Sequence, residues 1–306
     1  MSLVVDVLSS GVRSGTSIMF AAQGETVSER AGVINLGTEG CMLLGALTGL
    51  AVTKETGNPW IGILAAAVAG AALAAVHAVL VISRKANQFA SGLTLLFLAL
   101  GLTSLYGPGF VGEKGKIDGL DPVAVPGLSS IPFLGEILFH QDPLTYVSYA
   151  VAPLLFWVVF RTRAGLLLRS AGERSEVLTV HGYSVAAVRY VAVIAGGALA
   201  GIGGAHLSVS YSQSWFENMI VGRGFIAVAL VVFASWQPWR ILAGAYLFGA
   251  ALALSPQLQA RGIGVNQFAL EALPFVATLL FLTFLGRRTL LAAPQELRRV
   301  FDNTAT

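Results

Sequence analysis

The chain has 306 residues, of which 55% are hydrophobic and 11% charged, with a formal net charge of +3. Soluble domains carry about 25% charged residues, so this chain lacks the polar surface to cover itself in water. Its basic residues cluster beside apolar segments, which is an orientation signal for a membrane protein and gives no support to nucleic-acid binding. The expected fold is all-α: a polytopic transmembrane helical bundle of about 8–10 segments with some discontinuous helices.

In chain order, the start Met1–Asp6 lacks the basic region of a cleavable signal peptide, so the first membrane segment is expected to direct insertion itself. Residues 3–24 make a weak span, interrupted by Asp6 and Arg13, and read as a tilted crossing or an interfacial helix. Clear spans are expected over 31–53, 59–82, 87–106, 143–160, 189–209 and 267–286. Two shorter segments, 223–235 and 240–256, flank the turn Trp236-Gln237-Pro238-Trp239. The whole chain, 1–306, then forms a single transmembrane domain.

Charge placement orients these segments. The stretch 107–142 is rich in Gly and Pro and holds Glu113, Asp118, Asp121, Glu136 and Asp142 against Lys114 and Lys116. It is expected to be an external loop, with a short surface helix near 133–139. Arg84-Lys85, the basic loop over 161–188 and the tail 287–306 with Arg287, Arg288, Arg298 and Arg299 are expected on the cytoplasmic side. The C-terminus is then cytoplasmic, and nine crossings would leave the N-terminus outside.

Few residues suggest reaction chemistry. The phosphate-binding signature G-x-x-x-x-G-K-S/T does not occur. Gly201-Ile202-Gly203-Gly204, with Gly197, sits in an apolar helix where small residues let backbones approach, and reads as helix packing. His77, His140, His181 and His206 are scattered, so no metal site is expected. Cys41 is alone in an apolar run and reads as a packed residue. No catalytic set converges, and the chain is not expected to be an enzyme.

Three polar constellations stand out. In Ser28-Glu29-Arg30-Ala31-Gly32-Val33-Ile34-Asn35-Leu36-Gly37-Thr38-Glu39-Gly40, polar residues and glycines break a would-be span. Asn35, Thr38 and Glu39 therefore line a path or bond to a neighbouring helix. In the second, Glu173 to Val180 has room for about two helical turns, with Gly182 placed to end them in a left-handed conformation. Gly172, Glu173, Arg174, Glu176, Val177 and Gly182 then belong to a surface helix suited to docking, or to a solvated loop. The third, Gln213 to Phe225, holds Trp215 as an interface anchor, Phe216 and Asn218 near an outer opening, and Glu217 and Arg223 as an expected pair. Phe97 and Phe225 are aromatic candidates for stacking on a base, or packing residues.

At these three stretches the chain resembles a known group. E-R-A-G-V-I-N-L-G-T-E-G, G-E-R-S-E with the following H-G-Y, and F-E-N-M-I-V-G-R-G-F-I-A are similar to signatures of the nucleoside and simple-sugar permeases of bacterial ATP-binding-cassette importers. Those permeases are related to ribose and branched-chain amino acid permeases, and the likeness covers roughly residues 15–286. It implies a multi-pass protein of the bacterial inner membrane that supplies a translocation path for nucleosides or related solutes and has no cofactor of its own. ATP and Mg would be bound by two ATP-binding-cassette domains docked on Glu173 to Gly182. It further implies a second, homologous permease, expected as a heterodimer, and an external substrate-binding protein. Arg174-Ser175 stand where members of the group commonly have Asn-Pro. Permeases for simple sugars or branched-chain amino acids are the alternative, followed by an ATP-independent secondary transporter, for which Glu39 and Glu271 would be the intramembrane ionisable groups.

Overall fold

A computed structural model describes residues 3–112, 116–263, 266, 269–270, 272, 276 and 292–298. Most of the expected span 267–286, Glu271 included, and most of the tail lie outside the described residues.

The first helix, α1, runs without a break from Leu3 to Arg30. At 1.5 Å per residue it is about 42 Å long, enough to cross a bilayer with its headgroups. It is neither interfacial nor peripheral: Gly11, Val12 and nearly every residue from Ser14 to Glu29 are buried. Small residues permit this. A Cβ on Gly24 would stand 2.4 Å from the Gly196 carbonyl oxygen, so the two backbones are in contact.

After α1, residues 31–37 are non-helical, and α2 (Thr38–Thr56) begins only at Thr38, so the expected span 31–53 loses its first third to a buried connector. Asn58 caps the start of α3 (Pro59–Ala78), accepting from the Trp60 N–H at 3.0 Å. The chain continues through a π-helical turn at Val79–Ser83. Asn87 caps α4 (Gln88–Tyr106) in the same way. The stretch 107–142 folds as expected into an irregular cover with a short helix, α5 (Leu134–Leu138). A two-residue antiparallel ladder closes it, β1 (Val123–Ala124) with β2 (His140–Gln141), pairing Val123 with Gln141 and Ala124 with His140.

The second half contains α6 (Pro143–Arg161), α7 (Arg163–Glu173), α8 (Ser175–Val180) and α9 (Val185–Ala205), the last extended by a π-helical turn at His206–Tyr211. Two further helices follow, α10 (Arg223–Phe233) and α11 (Pro238–Ala260). Helix α9 packs on α1, α2 and α3, while α11 lies along α1. The glycine run expected to pack does so: a Cβ on Gly201 would lie 2.2 Å from the Ala66 oxygen, and one on Gly204 1.9 Å from the Met42 oxygen.

Among the described residues, five helices are long and apolar enough to cross a membrane: Pro59–Ser83, Gln88–Phe110, Pro143–Arg161, Val185–Tyr211 and Pro238–Ala260. Their outer faces expose Leu64, Val68, Phe97, Leu105, Leu154, Trp157 and Leu247. The interior holds Gln23, Glu25, Glu29, Glu39 and His77, all buried. An apolar exterior around a polar interior is the arrangement of a multi-pass membrane bundle.

Candidate functional site

The end of α1 and the connector after it form a knot of satisfied polar groups. Glu25 accepts from the Asn35 N–H at 2.7 Å and from the Thr38 hydroxyl at 2.9 Å. Asn35 turns its own side-chain oxygen to the Gly37 N–H at 2.9 Å. The backbone of Ile34 is held on both sides, its N–H donating to Gln88 at 2.8 Å and its carbonyl oxygen lying 2.9 Å from His77 Nε2. Asn35 and Thr38 are thus buried and committed to the turn. The pattern has a simple cause: non-helical backbone at membrane depth must find partners within the protein.

Glu29 and Arg30 reach the α10–α11 turn. Glu29 accepts from the indole N–H of Trp236 at 2.5 Å, and Arg30 donates to the Trp236 carbonyl oxygen at 3.1 Å. Gln23 donates to the Pro238 carbonyl oxygen at 2.9 Å. Ser235 and Trp236 both have positive φ, 51° and 56°. Non-glycine residues adopt that conformation at a cost, so α1 holds a strained turn in place.

α10 is a half-helix. Its 11 residues cover about 16 Å, roughly half of a bilayer core. It ends at the turn fastened to the end of α1 and begins part-way through the bundle, where Arg223 donates to Ser14 O at 2.9 Å, Ser14 Oγ at 3.1 Å and Ser17 Oγ at 3.3 Å. The expected Glu217–Arg223 pair does not form: Arg223 sits in the first turn of α10 and points to α1, while Glu217 is exposed on the preceding loop. Tyr211 lies between two guanidinium groups, 5.9 Å from that of Arg13 and 6.0 Å from that of Arg223.

Beside the start of α10 lies a cleft of about 380 Å³, lined by Glu39, Leu43, Leu96, Leu100, Asn218, Val221, Gly222 and Phe225. Glu39 stands in its wall and caps α10: Oε1 accepts from the Gly222 N–H at 2.7 Å and Oε2 from the Gly224 N–H at 2.6 Å. The Asn218 side chain is exposed and has no hydrogen-bond partner among the described residues. Of the five residues expected near a path, the structure brings Glu39 and Asn218 to one cleft. Phe216 is half exposed outside that lining, and Trp215, read as an interface anchor, is instead buried against Gly107. Phe97 points out of the bundle, 67% exposed, whereas Phe225 lines the cleft. The aliphatic lining from α2 and α4 carried no sequence signal, because Leu43, Leu96 and Leu100 look like any other bilayer residues.

A second candidate surface lies at the α7–α8 end. Thr162 caps α7 through the Gly165 N–H at 3.1 Å, and α7 ends at Glu173, where Arg174 is extended. The six-residue α8 follows, closed by Gly182 at φ 78°, as the sequence indicated. Leu178 is buried and anchors α8, leaving Glu173, Arg174, Glu176, Val177 and Val180 exposed. Gly172 serves packing instead, because a Cβ there would lie 2.3 Å from the Arg30 oxygen, and it seats α7 against α1. A groove of about 450 Å³ runs along this surface, bordered by Leu166, Val177, His181 and Tyr183. The same end is tied together by Arg189, which donates to Ala31 O, Ala171 O and Glu296, each at 3.1 Å.

Among the described residues no cluster of His, Cys, Asp or Glu could hold a metal ion. The chain is 40% identical, over 99% of its own length and 99% of the relative's, to a putative glucose ABC transporter permease protein of Haloferax volcanii. It is 35% identical to a guanosine ABC transporter permease protein of Bacillus subtilis, over 88% of this chain and 89% of that one. It is 33% identical to a nucleoside ABC transporter permease protein of Lactococcus lactis, over 89% and 90%. No solved structure matches. The family model described as "Branched-chain amino acid transport system / permease component" matches residues 7–285, and the chain belongs to that family, as a membrane permease component of an ABC transporter.

Proposed function

We propose that the chain forms one side of the translocation path of an ATP-driven importer for nucleosides or related sugars. The observation that carries this reading is the cleft at the start of the half-helix α10, where an unpartnered carboxamide (Asn218), an aromatic ring (Phe225) and aliphatic side chains meet inside an apolar bundle. Such a wall suits a ring with hydrogen-bonding edges and an apolar face. The 35% and 33% identical guanosine and nucleoside permeases support the nucleoside class, and the 40% identical relative supports a sugar. Two permease subunits would close the path between them and rock between two openings as partner ATPases, holding ATP and Mg, engage and release. An external binding protein would deliver the solute.

The exposed face of α8 supports docking of those ATPases, with Glu173, Arg174, Glu176 and Val177 beside the groove. On this reading that end is cytoplasmic, together with residues 292–298. Arg84, Lys85, Arg161, Arg163, Arg169 and Arg174 then obey the positive-inside rule. The acidic 107–142 cover is external.

Uptake into vesicles containing the complete transporter tests the path. Asn218→Ala is expected to raise the KM for the transported nucleoside about tenfold, the equivalent of ~1.4 kcal/mol, with the amount of assembled complex unchanged. An unchanged KM would remove Asn218 from the path. Competition of labelled guanosine uptake by glucose and by leucine names the solute class, and competition by leucine alone would overturn the nucleoside reading. For coupling, Val180→Asp is a surface change at a position 85% exposed, so thermal stability should stay within ~0.5 kcal/mol of the parent. Solute-stimulated ATP hydrolysis is expected to drop sharply. Full stimulation in that variant would mean that α8 docks no ATPase.

A further inference from the structure

The first N–H groups of a helix, with the positive end of its dipole, attract anions. A half-helix that starts inside a membrane bundle presents those groups where a solute passes, and an anionic solute group can dock there. In this chain the position is already filled. Glu39 takes the Gly222 and Gly224 N–H groups at 2.7 and 2.6 Å, the short distances of charge-assisted bonds. A Cβ on Gly224 would stand 2.5 Å from the Glu39 Cα, so the two backbones touch and nothing else fits between them.

The neighbouring guanidinium is not part of the cleft lining. Arg223 spends its guanidinium on Ser14 and Ser17 and faces the Tyr211 ring. Apart from Glu39 itself, the lining of the cleft is uncharged: the Asn218 carboxamide, the Phe225 ring, aliphatic groups and Gly222.

We propose that Glu39 is a specificity-determining residue, an internal carboxylate seated in the anion site of α10, so that the cleft takes uncharged solutes and turns away those bearing a carboxylate or phosphate. The inference rests on the cleft being part of the path. It separates two solute classes: nucleosides and sugars satisfy the wall, whereas an amino acid or a nucleotide brings a second negative charge to the Glu39 carboxylate at low dielectric.

The test uses the purified, intact transporter without its binding protein and follows thermal unfolding of wild type, Glu39→Ala and Glu39→Gln. Glu39→Ala is expected to unfold several degrees below wild type. Sodium formate should restore much of that loss while formamide and sodium chloride do not, and wild type should not respond. Formate stabilising wild type as much as Glu39→Ala, or failing to stabilise Glu39→Ala, would overturn the internal-anion role. Glu39→Gln keeps the side chain's shape and covers the case in which the alanine variant does not assemble. There, guanosine is expected to stabilise both wild type and Glu39→Gln, and guanosine 5′-monophosphate only Glu39→Gln. Equal stabilisation of wild type by the two compounds would overturn the proposal. Absence of any guanosine shift alongside intact formate rescue would sink the path reading and the solute class with it. Failed rescue with the guanosine shift retained would remove Glu39 alone.

Discussion

Trp236→Ala is expected to destabilise the permease by about 3–5 kcal/mol, enough to lower the yield of assembled transporter severalfold. Three losses coincide there. The indole is fully buried and its removal leaves a cavity beside α1. The Glu29 carboxylate loses its 2.5 Å donor and stays buried without it. The two left-handed residues Ser235 and Trp236 lose the anchor that holds their turn. Trp236→Phe separates these effects, because it keeps most of the ring and removes only the N–H. Its expected cost is about 1–3 kcal/mol. Combined with Glu29→Gln, it should destabilise by less than the sum of the two single changes. Thermal unfolding of the detergent-solubilised complex reads all four variants, and strict additivity would mean that the two side chains act independently.

Gly204→Val is the second change with a large expected effect. A Cβ at this position would fall 1.9 Å from the Met42 carbonyl oxygen, and that oxygen belongs to helix backbone that cannot swing aside. Overpacking a core with side chains that can adjust costs about 1–3 kcal/mol. Here α2 and α9 would have to separate along their length, so no monodisperse protein is expected on size-exclusion chromatography. Gly101→Ala is the control. Gly101 is exposed on α4, with nothing within 4 Å of a Cβ, and alanine there should be neutral or stabilising by up to ~1 kcal/mol through helix propensity. Equal behaviour of the two variants would refute the close-packing role of Gly204.

The lipid-facing helices were legible in the sequence almost to the residue. The expected 59–82, 87–106 and 143–160 correspond to Pro59–Ser83, Gln88–Tyr106 and Pro143–Arg161. Hydropathy works there because one face of each helix meets only lipid and carries no polar group. It fails for α1, which Asp6 and Arg13 made a weak span in the sequence; the helix is buried, and its Gln23, Glu25 and Glu29 have partners on α2, α11 and the connectors. Glu25 and Glu29 are one helical turn apart on the same face, a spacing that could have signalled a shared polar interior. Asn35 and Thr38 stand in a turn that any broken span requires, so their polarity alone could not distinguish holding the chain from touching a solute. Arg223 carried no directional information either: whether it met Glu217 or Ser14 depended on which way the first turn of α10 faces.

The burial of α1 also has a temporal side. A helix bearing Asp6, Arg13, Glu25, Glu29 and Arg30 is poorly matched to hydrocarbon while it stands alone. Glu25 finds Asn35 and Thr38 close by in the chain, but Trp236, the partner of Glu29 and Arg30, is made more than 200 residues later. Helix α1 therefore leaves the ribosome long before some of its final neighbours exist. Until then it must wait at the interface, against the insertion machinery or beside a companion subunit. Truncation after α6 would leave those polar side chains without a berth, and such a fragment should be a preferred substrate for membrane quality-control proteases.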